Sequence, residues 1–90
     1  MAFDTLLQAT WATYLDLTNP EIYNDRQALN DTMVAEGKIA PTWELITAPN
    51  ADPAVIHRGC LDVTAANEWI TSMNTICSNH GVPAPAFEIL

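Results

Sequence analysis

The sequence has few basic residues. Its 90 residues contain three Lys or Arg against eleven Asp or Glu, which gives a formal net charge of −8. The phosphate backbone of a nucleic acid and the surface of an anionic membrane both attract proteins through patches of basic side chains. Arg26, Lys38 and Arg58 are too few and too widely spaced to form such a patch. We therefore expect neither a nucleic acid nor a membrane as partner.

Cysteines and long apolar runs are also scarce. Cys60 and Cys77 are too few to staple a fold, and the opening MAFDTLLQ has neither the positive nor the long apolar region of a signal peptide. No apolar run approaches the roughly 20 residues that cross a bilayer. We expect reduced thiols and a cytoplasmic location. An apolar fraction of 49% argues against disorder and predicts a single domain over residues 1–90.

The clearest helical pattern lies between Gly59 and Gly81. Apolar residues recur there at spacings of three and four, namely Ala66, Trp69, Ile70, Met73, Ile76 and Cys77. Asp62 can cap the first turn, Gly81 can end the last turn, and Pro83 prevents the helix from resuming. This segment is predicted to be the helix around which the rest of the chain packs.

The opening stretch 3–17 fits two patterns. Its branched and aromatic residues favour a strand, whose inward face would carry Leu7, Ala9, Trp11, Leu15 and Leu17. The helical alternative also aligns apolar residues, at Phe3, Leu7, Trp11 and Leu15. We predict a strand here.

The remaining segments have clearer boundaries. A capping-box spacing from Thr18 to Glu21 begins a helix that Gly37 can end. Strands are predicted at Thr42–Thr47, Ala54–Leu61 and Ala86–Leu90. The order is then βαββαβ, which is typical of an α+β ferredoxin-like fold with a four-stranded antiparallel sheet and two helices on one face.

One short motif carries a resemblance to a known family. The run Arg58-Gly59-Cys60-Leu61-Asp62, followed by Ala66 and Trp69, resembles small ferredoxin-like proteins of the dimeric α+β barrel type, and in particular uncharacterised phage-encoded members of similar size. Cys60 stands where that pattern usually has an aromatic residue. The resemblance implies the same fold and a viral origin, and it carries no active site across.

Alternation along Ala54–Leu61 predicts which residues face outward. A guanidinium is costly to bury without a partner, so we place Arg58 on the open face of the sheet together with Ile56 and Cys60. Val55, His57, Gly59 and Leu61 would then face the helices, as would Trp43, Leu45, Phe87 and Ile89. The open face becomes apolar enough to predict a homodimer. Its interface candidates are Leu6, Tyr14, Ile46, Ile56, Arg58 and Cys60, and this assignment depends on Arg58 being in water.

No catalytic constellation is recognisable in the sequence. The ligand-like pairs His57–Cys60 and Cys77–His80 would need to converge for zinc, but alternation points His57 and Cys60 to opposite sides of a strand. We expect no metal and no cofactor. The leading hypothesis is a non-enzymatic accessory protein that acts through protein contacts. The alternative is a small barrel-type enzyme or a hydrophobic-ligand binder with a cleft near His57, Trp11 and Trp43.

Overall fold

Four strands and three helices make up residues 3–90, the part of the chain that the computed structural model describes. Their order is β1 (Thr5–Trp11), α1 (Tyr14–Leu17), α2 (Pro20–Ala35), β2 (Glu44–Leu45), β3 (Ala54–Cys60), α3 (Val63–His80) and β4 (Ala86–Ile89). The predicted α+β class is confirmed. The short helix α1 between β1 and α2 is an addition to the predicted order of elements.

The strands form one antiparallel sheet in the order β2-β3-β1-β4. β1 and β3 pair along their whole length, from Thr5 opposite Cys60 to Trp11 opposite Ala54. β4 borders β1 on its other side, whereas β2 is a two-residue strand at the β3 edge. Because directly opposed residues share a face, this register fixes which side chains lie together.

The core lies between one face of the sheet and the helices. β1 contributes Leu7, Ala9 and Trp11, each 1% exposed. The helices contribute a second apolar layer, made of Ile22 and Met33 from α2 and Ala66, Trp69, Met73 and Cys77 from α3. Burying a large apolar side chain contributes about 1.5–3 kcal/mol, so this layer is the main source of stability. The other face of the sheet is open.

Helix α3 forms as the sequence predicts. Asp62 Oδ1 accepts a hydrogen bond from the Ala65 backbone N–H at 2.8 Å, which satisfies one of the free donors of the first turn. Gly81 ends the helix in the left-handed conformation, with φ of 65°, which a glycine adopts without steric cost.

The opening stretch 3–17 contains both a strand and a helical turn, the two structures that its sequence pattern fits. The strand prediction is right as far as Trp11 and wrong beyond it, since Tyr14–Leu17 is one helical turn. Thr13 Oγ1 caps this turn by accepting from the Asp16 N–H at 3.1 Å. Leu15, predicted to face inward, is 78% exposed.

The boundaries of α2 and β2 also shift. Asn19, not Thr18, caps α2, and its Oδ1 accepts from the Glu21 N–H at 2.9 Å. Thr18 instead ends α1, where its hydroxyl donates to the Tyr14 carbonyl at 3.0 Å. β2 is shorter than the predicted strand, and Trp43, predicted to face inward, is 47% exposed.

The faces of β3 are the reverse of the prediction. Ile56, Arg58 and Cys60 are buried beneath the helices, and Arg58 is only 4% exposed. The register explains this orientation, because Arg58 lies opposite the core residue Leu7. Arg58 can be buried because its Nε and Nη2 both donate to the Ala40 carbonyl, at 3.0 and 2.6 Å. The dimer face predicted from a wet Arg58 is therefore wrong in its β3 residues.

Candidate functional site

A cleft runs along the covered side of the sheet, where α2 passes beside β3. It consists of two adjoining depressions that share Asn30, Trp43 and Arg58. The inner depression has a volume of about 20 Å³ and is otherwise lined by Trp11, Leu17, Arg26, Ile56 and Trp69. The outer depression has a volume of about 190 Å³, and Gln27, Asp31, Val34 and Pro41 complete its lining. The inner part suits about one water molecule or one small group of a ligand, and the outer part suits a larger one.

Arg58 places a charge in this cleft. Its two hydrogen bonds to the Ala40 carbonyl use two of the five N–H donors of the guanidinium. A carbonyl carries no net charge, so the positive charge itself has no counterion there. Burial lowers the pKa of Arg58 from its ordinary value, which reflects the cost of holding this charge away from water.

Arg26 brings a second guanidinium to the inner depression. It projects from α2, and its Nη1 donates to the Leu17 carbonyl at 2.5 Å. Burial lowers the pKa of Arg26 as well. Among residues 3–90, the ion pairs involve Lys38 and His80, and neither arginine has a carboxylate oxygen within 4.0 Å. Two of the three basic side chains of the sequence thus line one cleft without a carboxylate partner.

Trp11 adds a donor without an acceptor. Its side chain is 1% exposed, and its indole N–H has no hydrogen-bond partner within the described part of the chain. By contrast, the indole N–H of Trp69 donates to Asn30 Oδ1 at 2.8 Å in the same cleft. An unsatisfied buried donor costs about 1–3 kcal/mol, and buried polar groups are nearly always paired in native proteins.

The outer rim carries the opposite charge. Asp31 lines the outer depression, and its Oδ1 accepts from Gln27 Nε2 at 3.1 Å. Trp43, half exposed, forms a lip that belongs to both depressions. The cleft is therefore lined on its inside by three tryptophans and two arginines, with one carboxylate at its mouth.

Two of the three residues predicted to line a sheet–helix cleft do line this one. Trp11 and Trp43 both line it, whereas His57 lies on the open face, where its Nε2 is 2.9 Å from Gln8 Oε1. His57 and Gln8 are register partners, so they share a face that the helices do not cover. The enzyme or binder with His57 in the sheet–helix cleft is thus not the arrangement found.

Sequence reasoning missed both arginines of the cleft and Asn30. A usable signal was present on α2, where Ile22, Arg26, Asn30 and Met33 follow one another at helical spacings of four, four and three. Ile22 and Met33 are core residues, so polar residues between them on that face lie next to the core. A positive charge at such a position marks a buried polar site.

Only some of the predicted interface residues lie on the open face. Leu6 lies there beside Leu90, whose N–H donates to the Leu6 carbonyl at 2.8 Å, and Ile46 lies beside Val55, with the Ile46 N–H donating to the Val55 carbonyl at 2.8 Å. Tyr14 is instead the first residue of α1, where its N–H donates to Asp52 Oδ1 at 2.7 Å. Ile56, Arg58 and Cys60 are buried, as described above.

Three further observations concern metals, thiols and membranes. Among residues 3–90, no group of three or more His, Cys, Asp or Glu side chains is placed to hold a metal ion. Cys60 and Cys77 are free and buried. The described helices include none long and apolar enough to cross a membrane.

Comparison with protein-family models, curated protein sequences and solved structures finds no match to this chain.

Proposed function

We propose that this chain is a small non-enzymatic binding protein whose cleft between α2 and β3 takes a small molecule. The observation that carries the proposal is the indole N–H of Trp11, a buried donor with no acceptor among residues 3–90, on a residue that lines the same cleft as Trp43 and Trp69. Small-molecule sites are typically concave and mostly apolar, with a few polar groups that fix the orientation of the ligand. The inner half of this cleft has that composition.

The dimensions of the cleft indicate the size of the ligand. The outer depression measures about 190 Å³, and an apolar cavity of about 150 Å³ in another protein binds benzene. A ligand with one six-membered ring is therefore of a size that the outer depression can hold. Trp43 can cover such a ring because its side chain lies at the border of the two depressions.

The test is a titration of the ¹⁵N-labelled protein with benzamide and with benzoate, followed by NMR. Binding in the cleft will shift the indole resonance of Trp11. Trp43→Ala should weaken this binding several-fold and leave the fold intact, because Trp43 is half exposed. Leu15→Ala, a change at an exposed residue of α1, is the matched control. If neither compound shifts the Trp11 resonance, the proposal is wrong.

A second candidate function is self-association through the open face, as a homodimer that acts through protein contacts. Its support is the set of apolar side chains that no helix covers: Leu6, Ile46, Val55, Ala86 and Leu90. These flank a polar row of Glu44, His57, Gln8 and Glu88. A two-fold axis along the polar row would bring apolar rows of two copies together, as an isologous contact requires.

The size of this face limits how strong the dimer can be. β1 and β3 are each seven residues long, β4 is four and β2 is two, so at about 4.8 Å between strands and about 3.3 Å per residue the sheet presents roughly 300 Å². A standard interface buries about 800 Å² per partner, so we expect a dissociation constant in the micromolar range or above. Sedimentation should show a dimer for the wild type and a monomer for Ile46→Asp. Leu15→Asp is the control, and a monomeric wild type at millimolar concentration would exclude this candidate.

The proposal includes a ferredoxin-like fold with one added helical turn. Its support is the antiparallel strand order β2-β3-β1-β4, with β1 and β3 at the centre and the core on one side. The short motif at Arg58–Asp62 remains the basis for the proposed kinship with phage-encoded proteins of the dimeric α+β barrel type. Two free cysteines fit a cytoplasmic location.

A further inference from the structure

The three basic side chains of this protein divide into two kinds. Lys38 is on the surface, where its Nζ lies 3.3 Å from Glu36 Oε1 and 3.0 Å from Glu68 Oε2. Arg26 and Arg58 instead line the inner depression, and only backbone carbonyls accept from them among the bonds of residues 3–90. The sequence has eleven acids, yet within residues 3–90 neither arginine has a carboxylate beside it, although buried charged side chains are normally paired.

The unpaired arginines leave hydrogen-bonding capacity in the cleft. Arg58 uses two of its five N–H donors and Arg26 uses one, so seven remain between them. The indole N–H of Trp11 adds an eighth donor. Buried cations are normally paired with anions, because an isolated charge away from water is strongly disfavoured. An acceptor with a negative charge would satisfy these donors and the charge together.

We infer that the ligand of the cleft is a small aromatic or alicyclic monocarboxylate, with its carboxylate against Arg26, Arg58 and the indole N–H of Trp11. This inference rests on the proposed function and adds the chemical class of the ligand. The ring of the ligand would occupy the outer depression beside Trp43.

Two features favour a monocarboxylate over a phosphate ester. Asp31 at the mouth of the cleft repels a dianion more strongly than a monoanion, and so does the net charge of −8 on the whole protein. The inner depression, at about 20 Å³, also has more room for a carboxylate than for the larger phosphate group. Guanidinium groups bind planar carboxylates through paired, parallel hydrogen bonds.

Isothermal titration calorimetry with matched probes tests the inference. Benzoate and benzamide have nearly the same shape and differ in charge, whereas phenyl phosphate carries a larger charge on the same ring. We expect benzoate to bind at least tenfold more tightly than benzamide, since a hydrogen bond to a charged group is stronger than a neutral one. We also expect benzoate to bind more tightly than phenyl phosphate.

Three variants locate the effect. Arg58→Gln and Arg26→Gln should each remove most of the preference for benzoate over benzamide. Lys38→Gln removes the same charge outside the cleft and should leave the preference unchanged. Arg26→Gln keeps the test valid if Arg58→Gln does not fold, because Arg26 is less buried.

The outcomes separate this inference from the proposed function. Equal binding of benzoate and benzamide would overturn the inference and leave the proposed function standing. Binding of neither compound would overturn both. Tighter binding of phenyl phosphate, or an equal loss of preference in Lys38→Gln, would also overturn the inference, since each would indicate a general attraction of anions.

Discussion

Gly59 is the residue of β3 at which a side chain has no room. A Cβ there would lie 2.9 Å from the carbonyl oxygen of Phe3 and 3.1 Å from the Phe3 Cβ. The close neighbour is thus the segment that precedes β1. The sequence predicts that Gly59 faces the helices, and it lies instead on the open side of the strand.

Gly59→Ala should destabilise the protein by about 1–3 kcal/mol, because a backbone oxygen must move to admit the methyl group. Urea unfolding followed by circular dichroism measures the loss. Asn24→Ala, at an exposed position of α2, should stay within about 0.5 kcal/mol of the wild type. Unchanged stability of Gly59→Ala would show that the segment around Phe3 does not pack closely on β3.

The two thiols should make the protein less stable in alkali. Burial raises the pKa of Cys60 and of Cys77 above the ordinary value of 9.0. Above that pH the unfolded chain releases thiol protons that the folded protein keeps, so stability present below pH 9 falls as the pH rises. The slope cannot exceed about 1.4 kcal/mol per pH unit for each thiol.

Urea unfolding at intervals between pH 7 and 10 measures this slope. The double variant Cys60→Ala, Cys77→Ala should be less stable overall, because it leaves cavities, and should lose much of the decline above pH 9. The wild type and the double variant have the same lysine and tyrosine residues, so the difference between their slopes reports the two thiols. An identical slope in the two proteins would contradict the assignment.

Arg58 also shows that the character of one residue is not enough to assign the buried face of a strand. The faces of β3 were assigned on the rule that a guanidinium stays in water. The rule fails here because the Ala40 carbonyl, 18 residues earlier in the chain, accepts two hydrogen bonds from Arg58. Nothing in the local sequence indicates that partner. The alternation of β3 itself was predicted correctly, but alternation alone cannot say which of its two faces is covered.

At the scale of elements, α3 depends on its first turn. Asp62→Ala should cost about 1 kcal/mol of stability, because it removes the acceptor of the Ala65 N–H. Thr64→Ala, two residues further on at an exposed position, is the matched control and should be nearly neutral. Thermal unfolding of both variants measures the difference. Equal melting temperatures for the two would mean that the cap contributes nothing.

The elements that were predictable are those with local signals. Helix α3 has a long apolar stripe, a cap and a terminal glycine, and all three are present within its own segment. Helix α1 has only four residues, and its N–H at Tyr14 is held by Asp52, 38 residues away. Four residues are too few to form a distinct helical pattern, and the branched and aromatic residues of the whole stretch favoured a strand through it.

At the scale of the whole molecule, charge opposes self-association. Two copies each carry a formal charge of −8, so their repulsion should weaken the proposed dimer at low ionic strength. Raising the salt from about 0.01 to 0.15 M shortens the screening length from about 30 to 8 Å. The dissociation constant from sedimentation should then fall several-fold, and a dimer that weakens with salt would contradict an apolar contact between like-charged copies.

The candidate site was predictable only in its aromatic part. Trp11 and Trp43 were expected at a sheet–helix cleft because large aromatic residues usually line one, and both are there. His57 was assigned to it through the inverted face of β3, and Arg58 was missed for the same reason, since reversing that strand exchanges a histidine for a guanidinium. Arg26 was missed separately, because it lies on α2, where its spacing from two core residues of the same helix was the available signal.

The three tryptophans of this cleft give the protein its own optical reporters. Trp69 is buried and hydrogen-bonded to Asn30, Trp11 is buried with no hydrogen-bond partner in the described part of the chain, and Trp43 is half exposed. Acrylamide in solution can collide freely only with the last of these, so quenching isolates its emission from that of the other two. A ligand that covers Trp43 will therefore reduce the quenching of its fluorescence by acrylamide.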